Sequence, residues 1–216
     1  MLTARSGVSL AGMPDHGALR PDNLRTVYPE ASTRSQRKEI DHLDGYCRRF
    51  IALSPFCVLS TVGPGATPDL TPRGGEPGFV RVADPGALIL PDRPGNYRLD
   101  NITNLVERPS VALLFMVPGI DETLRVYGRS EVRTLDEHQR VALQVDDKTR
   151  TALHVEVSRA FFHCAKALMR ARLWDPAARL ERSAYPSMGE IISQHAGMPG
   201  PPETQAAMVA RYQASL

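Results

Sequence analysis

The chain has 216 residues, 42% hydrophobic and 23% charged, enough to bury a sizeable core and ordinary for a globular protein. With 26 Lys and Arg against 24 Asp and Glu, its net charge of +2 gives no reason to expect nucleic acid or an anionic membrane as partner. Three widely spaced cysteines, Cys47, Cys57 and Cys164, form no CxxC pair and point away from a disulfide framework or a zinc site. No apolar run reaches bilayer length or resembles a signal-peptide core, so a cytoplasmic location is expected.

Residues 1–31 are rich in Gly, Pro, Ser and Asp and read as an N-terminal arm, with residues 32–216 as one domain. Thr33 stands three residues before Gln36, a capping-box spacing. Ile40, Leu43, Cys47, Phe50 and Ile51 then recur as one helical face that Ser54-Pro55 stops. The period changes at Phe56: residues 56–62 form a strand, 63–65 a Gly-Pro-Gly turn and 68–71 a returning strand. Residues 78–82 and 87–90 are two more strands around the turn Asp84-Pro85-Gly86. Leu99, Ile102, Leu105 and Val106 mark a short helix, and residues 111–117 a strand apolar enough to be buried on both faces. Strict alternation makes 123–132 a strand; 135–145 reads as a helix and 152–162 as another strand. The chain turns helical near 166–172, opens a helix at the Ser187–Glu190 capping box, and ends in a helix over 203–214. Short strands interrupted by helices predict a closed β-barrel with helical additions.

The stretch richest in chemistry is Thr71-Pro72-Arg73-Gly74-Gly75 together with Pro91-Asp92-Arg93-Pro94-Gly95-Asn96-Tyr97-Arg98. Its second part joins a strand to a helix expected near Tyr97, where first-turn N–H groups and the positive dipole end suit a phosphate. Gly95 allows close approach, Asn96 can cap or donate, and Arg98 and Arg73 offer charge-assisted donors. The same residues also make an ordinary tight turn in which Asn96 caps the helix without a ligand. Lys166 and Arg170 lie one helical turn apart and can hold an anion together. Trp174, the only tryptophan, can stack on a ring or pack; packing is the favoured reading. His163-Cys164 has only isolated His154 and His195 as further ligands, so no metal site is expected. Adjacent strand residues face opposite ways, so this pair gives no nucleophile and base; a buried, structural Cys164 is expected.

The run from Leu90 to Asn101, then Asn104, Pro109 and Val111-Ala112-Leu113-Leu114-Phe115, resembles the FMN phosphate loop of the pyridoxamine 5′-phosphate oxidase-like split barrels. The resemblance covers residues 35–175, and the signature from Phe162 to Trp174 is typical of an oxidase-related branch of unassigned substrate. It implies an antiparallel split β-barrel with peripheral helices that binds FMN. Asn96, Tyr97 and Arg98 fall where the family loop holds phosphate, within a block that includes Pro91, Asp92 and Asn101. Arg73, beside Gly74, falls where the family has an Arg that reaches the FMN, and Thr123 matches a position that contacts the flavin ring. Asn96-Tyr97-Arg98 replaces the family's Ser-Arg-Lys, and the Arg-x-His-type motif of the true vitamin B6 oxidases is not found near the C-terminus. The cofactor therefore carries over better than the substrate, and no catalytic residue is assigned. By the same resemblance the protein is a homodimer with flavin at the subunit interface and a small-molecule oxidoreductase. The alternatives are an FMN-binding protein without a reaction, or a haem-binding or haem-degrading split barrel using His154, His163 or His195.

Overall fold

The computed structural model describes residues 19–214. Two short helices, α1 (Thr33–Arg37) and α2 (Gly45–Leu53), precede strands β1 (Phe56–Val62), β2 (Pro68–Gly74), β3 (Arg81–Asp84) and β4 (Ala87–Asp92). Helix α3 (Asp100–Glu107) leads to β5 (Ser110–Val117) and the long β6 (Ile120–Thr134). Then come α4 (Glu137–Leu143), β7 (Thr151–His163), α5 (Lys166–Ala171), α6 (Met188–Ala196) and α7 (Gln205–Gln213). The described part of the arm, 19–31, is largely exposed and holds one 3₁₀ turn, Leu24–Thr26; its first 18 residues lie outside the described residues.

The seven strands among the described residues pair antiparallel in one sheet of order β2-β1-β5-β6-β7-β4-β3. The barrel is therefore split rather than closed: β2 and β3 are its edges, and no ladder joins them. β3 pairs β4 only from Arg81↔Ile89 to Asp84↔Ala87, which leaves the end of β4, Leu90 to Asp92, open on that side. Across this seam the link is ionic, an Arg73 Nη1–Asp92 Oδ1 pair at 3.3 Å. Pro72 is tolerated in β2 because an edge strand needs only one ladder of N–H donors.

Alternation sets the interior. In β5 Val111, Leu113, Phe115 and Val117 are buried while Ala112, Leu114 and Met116 are only half-buried, so this strand is covered fully on one face. Leu59, Leu88, Leu90, Leu124, Val126, Leu153 and Val155 complete a core that α2 and α3 plug with Cys47, Phe50, Ile51 and Leu105. Leu135, Leu143 and Ala152 form a small second cluster under α4.

The long helix expected from Thr33 to Ile51 is two helices. Ser32, not Thr33, caps α1 by accepting from Ser35 N, and Asp44 caps α2 by accepting from Cys47 N. Between them Ile40 forms a β-bridge with Ala160, exchanging backbone bonds of 3.0 and 2.7 Å. Ile40 thus faces the core from extended backbone, which imitates helical spacing in sequence. Ser187 with Glu190 caps α6 as expected, and a second capping box, Asp136 with Gln139, opens α4.

Candidate functional site

The seam between β2 and β4 opens into a cleft of about 380 Å³, within the range of small-molecule sites. Three segments build it. On β2 the alternation turns Asp69, Thr71 and Arg73 inward. The end of β4 brings Asp92, paired in register with Thr151 of β7. The loop from Arg93 to Leu99 and the first turn of α3 close one wall, and Lys148 and Arg150, just before β7, close another.

This loop is held in costly backbone. Tyr97 (φ 58°) and Leu99 (φ 59°) are both left-handed, although neither is Gly, Asn or Asp. Each such residue costs on the order of 1 kcal/mol or more and persists where the surroundings fix it, often at binding sites. Leu99 is the N-cap of α3 and offers no side-chain acceptor to the first turn. Asn96 does not cap the helix: its Oδ1 accepts from Arg98 N at 3.2 Å, and α3 begins at Asp100, three residues later than the sequence suggests.

The charges are unevenly partnered. Arg73 is about four-fifths buried and its Nε, fully sequestered, has no hydrogen-bond acceptor. Asp92 accepts weakly from Thr151 Oγ1 at 3.4 Å, and burial pushes its carboxyl above the usual range against the pull of Arg73. Arg98 is exposed and its Nε donates to Asp100 at 2.8 Å. Asp69 Oδ2 accepts from Asn101 Nδ2 at 2.9 Å and Asn104 Nδ2 at 3.0 Å; both amides also donate to Thr61 Oγ1, at 3.1 and 3.0 Å. Each carboxylate of the cleft is thus engaged, while Arg93, Lys148 and Arg150 make no ion pair among the described residues.

Of the residues expected from sequence, Arg73, Asp92, Asn96, Tyr97, Arg98 and Asn101 line this cleft. Pro91 is buried in β4 opposite Ala152, and Gly74, at the end of β2, sits beside the Pro55 carbonyl; neither lines it. Asn101 acts first as a brace, tying α3 to β1 and β2. Thr123 is buried and pairs with His163, twelve residues along β7 from Thr151, about 40 Å of strand. Lys166 and Arg170 are exposed on α5, and Trp174 donates to the Ile120 carbonyl at 2.9 Å, a packing contact. These four residues do not meet the cleft within one chain. Sequence reasoning missed Lys148, Arg150 and Thr151; the signal for them was the Lys148-Thr149-Arg150 run leading into the strand that starts opposite Asp92, visible only once β4 and β7 pair.

Cys164 is exposed rather than buried, because β7 ends at His163 and releases the next residue from the sheet. Burial instead pushes the Cys47 and Cys57 thiols up to about 12. Among the described residues no three His, Cys, Asp or Glu side chains gather as metal ligands, and no helix is long and apolar enough to cross a membrane.

Fold and cleft together define a split antiparallel barrel with a cation-rich site at its seam. The sequence profile of the family "Pyridoxamine 5′-phosphate oxidase" (PNPOx_N) matches residues 43–164, more than half of the chain, and the protein belongs to that family. Similar solved structures include HupZ from Group A Streptococcus, 15% identical over 55% of this chain and 92% of that one, at a TM-score of 0.44. Another is a pyridoxamine 5′-phosphate oxidase-type protein from Lactobacillus delbrueckii, 18% identical over 56% and 99%, at 0.44. An FMN-binding protein from Syntrophomonas wolfei is 15% identical over 54% and 83%, at 0.42. No protein of curated function matches the chain in sequence.

Proposed function

We propose that the protein is an FMN-dependent oxidoreductase acting on a small molecule, with the cofactor's phosphate held at the β2–β4 seam. One observation carries this reading: the buried guanidinium of Arg73 has an Nε without an acceptor. A buried donor left unpaired costs about 1–3 kcal/mol, which a turn of the guanidinium toward a phosphate oxygen in the cleft would remove. Arg93, Lys148 and Arg150, free of ion pairs among the described residues around the same cleft, supply the remaining positive field.

Bound FMN would supply hydride-transfer chemistry. The chain's own part is to bind and orient it. Arg73 holds the phosphate from within, the strained loop of Tyr97 and Leu99 presents backbone donors beside it, and the brace of Asn101, Asn104 and Asp69 keeps α3 against β1 and β2. Thr123, Lys166, Arg170 and Trp174 lie outside this cleft, so their part in flavin binding requires a second copy; the proposed assembly is a homodimer with flavin at the interface. The setting this reading implies is the cytoplasm, where Cys47, Cys57 and Cys164 stay reduced.

A specific observation also supports a protein that binds FMN without a reaction of its own. Asp69, Asp92 and Asp100 are each tied to a neighbour, so the cleft offers no evident acid–base pair.

The test is the visible spectrum of the purified protein, followed by heat release and mass spectrometry of the ligand. Flavin bands and the mass of FMN are expected; a colourless protein that takes up no added FMN overturns the reading. Slow reoxidation after photoreduction, with no turnover of NAD(P)H or an amine donor, would select the non-catalytic form.

A further inference from the structure

We propose that Asp92 couples anion binding at the seam to proton uptake: it occupies Arg73 while the site is empty, and it takes up a solvent proton when a dianion enters. The inference deepens the reading of the seam as a phosphate site and rests on it.

Asp92 is the last residue of β4, placed by its register opposite Thr151, and its Oδ1 stands 3.3 Å from Arg73 Nη1. Both side chains are about four-fifths buried, so neither is free to swing into bulk water. An anion in the cleft that contacts the exposed part of Arg73 must therefore sit close to the Asp92 carboxylate as well. Two anions sharing one guanidinium in a partly desolvated cleft disfavour the ionised form of the weaker acid. The other charged groups of the cleft are Asp69 on β2, Arg93 and Arg98 in the loop, Asp100 in α3, and Lys148 and Arg150 before β7. Asp69 and Asp100 are each held by hydrogen bonds from other partners. Asp92 has only the distant Thr151 hydroxyl besides Arg73, and burial already holds its carboxyl above the usual range. It is the acid of the cleft that yields first. Protonation leaves Asp92 neutral and releases the full charge of Arg73 to the ligand.

The sign follows from linkage: a proton taken up on binding makes affinity fall as pH rises through the window above the free carboxyl's value. Sulfate remains a dianion throughout, so protons taken up with it come to the protein and not to the ligand. The experiment is calorimetric titration of wild type and Asp92→Asn with sulfate and, separately, with FMN, from about pH 5 to pH 8, in two buffers of different ionisation enthalpy. Wild type is expected to take up protons with sulfate and to bind it more weakly as pH rises. Asp92→Asn, which keeps size and shape, is expected to lose that dependence and to bind both anions about fivefold or more tightly near neutral pH. Equal affinity and equal proton uptake in the two proteins would overturn the proposal. Weaker binding by Asp92→Asn would overturn it too, making Asp92 only a brace for Arg73. If the sulfate result holds while neither protein binds FMN, the role of Asp92 stands and the flavin reading falls.

Discussion

Arg73 concentrates the energetics of the site. It presents a charge-assisted donor from inside the barrel seam, and one such contact to phosphate is worth about 1.5–3 kcal/mol. Arg73→Ala is therefore expected to weaken FMN binding by about tenfold or more, read from the quenching of flavin fluorescence. Arg98 is exposed and already paired with Asp100, so Arg98→Ala should cost less than Arg73→Ala. The reverse order would move the phosphate to the loop's outer side. Thiol reactivity gives an independent residue-scale check. Cys47 and Cys57 are buried with thiols pushed up to about 12, whereas Cys164 is exposed. Alkylation at neutral pH followed by peptide mapping should modify Cys164 fast and the other two only after unfolding. Arg73 and Asp92 were both legible in the sequence as residues of the site, Arg73 because Pro72 and Gly74 frame it, but their pairing was not. Asp92 lies nineteen positions on, and only the pairing of β4 with β7 turns it toward the seam.

Among the elements, β6 and β7 form the longest ladder and depend on one close approach. At the bulge between Tyr127 and Gly128, any Cβ on Gly128 would collide with the Glu156 carbonyl oxygen of β7. Gly128→Ala should cost about 2–3 kcal/mol, measured as a lower urea midpoint. An unchanged midpoint would mean the strands are not this close. Helix α3 gives a second test. Asn104 is buried and donates to both Thr61 and Asp69, so Asn104→Ala should destabilise by about 2 kcal/mol and loosen the wall of the cleft. On β7, burial and nearby cations hold His154 and His163 below their ordinary value. A histidine lowered in the folded state binds its proton more readily when unfolded. Its stabilising contribution is thus present above about pH 6.5 and is lost as pH falls below it, an effect His154→Asn should reduce in thermal melts. Most strands were legible, because period-two alternation survives any tertiary arrangement. The broken helix before β1 was not, since Ile40 reaches the core through a bridge to Ala160 at the spacing a helix would use.

For the whole molecule, the open seam is the decisive feature. A fully paired barrel would carry backbone bonds where this one carries the Arg73–Asp92 pair, and its interior would be closed to a ligand. The pattern of short strands interrupted by helices predicted a closed barrel, whereas the family resemblance gave the split one that is seen; which edges fail to meet depends on how far β3 runs along β4, and residue preferences do not fix that. The main core ends with β7; beyond it Met208 of α7 is buried, while Met188 and Ile192 of α6, Tyr212 of α7 and the flanking Tyr185 and Met198 are exposed. Light scattering of the purified protein should give the mass of a homodimer, as the proposed flavin site requires; a monomer that binds FMN fully would remove the second copy from the site. The most direct test compares FMN with riboflavin, which differ only in the phosphate. Wild type is expected to prefer FMN by about tenfold or more, and Arg73→Ala to abolish most of this preference. Equal affinity of wild type for the two flavins, or a preference that survives loss of Arg73, would contradict a phosphate held by Arg73.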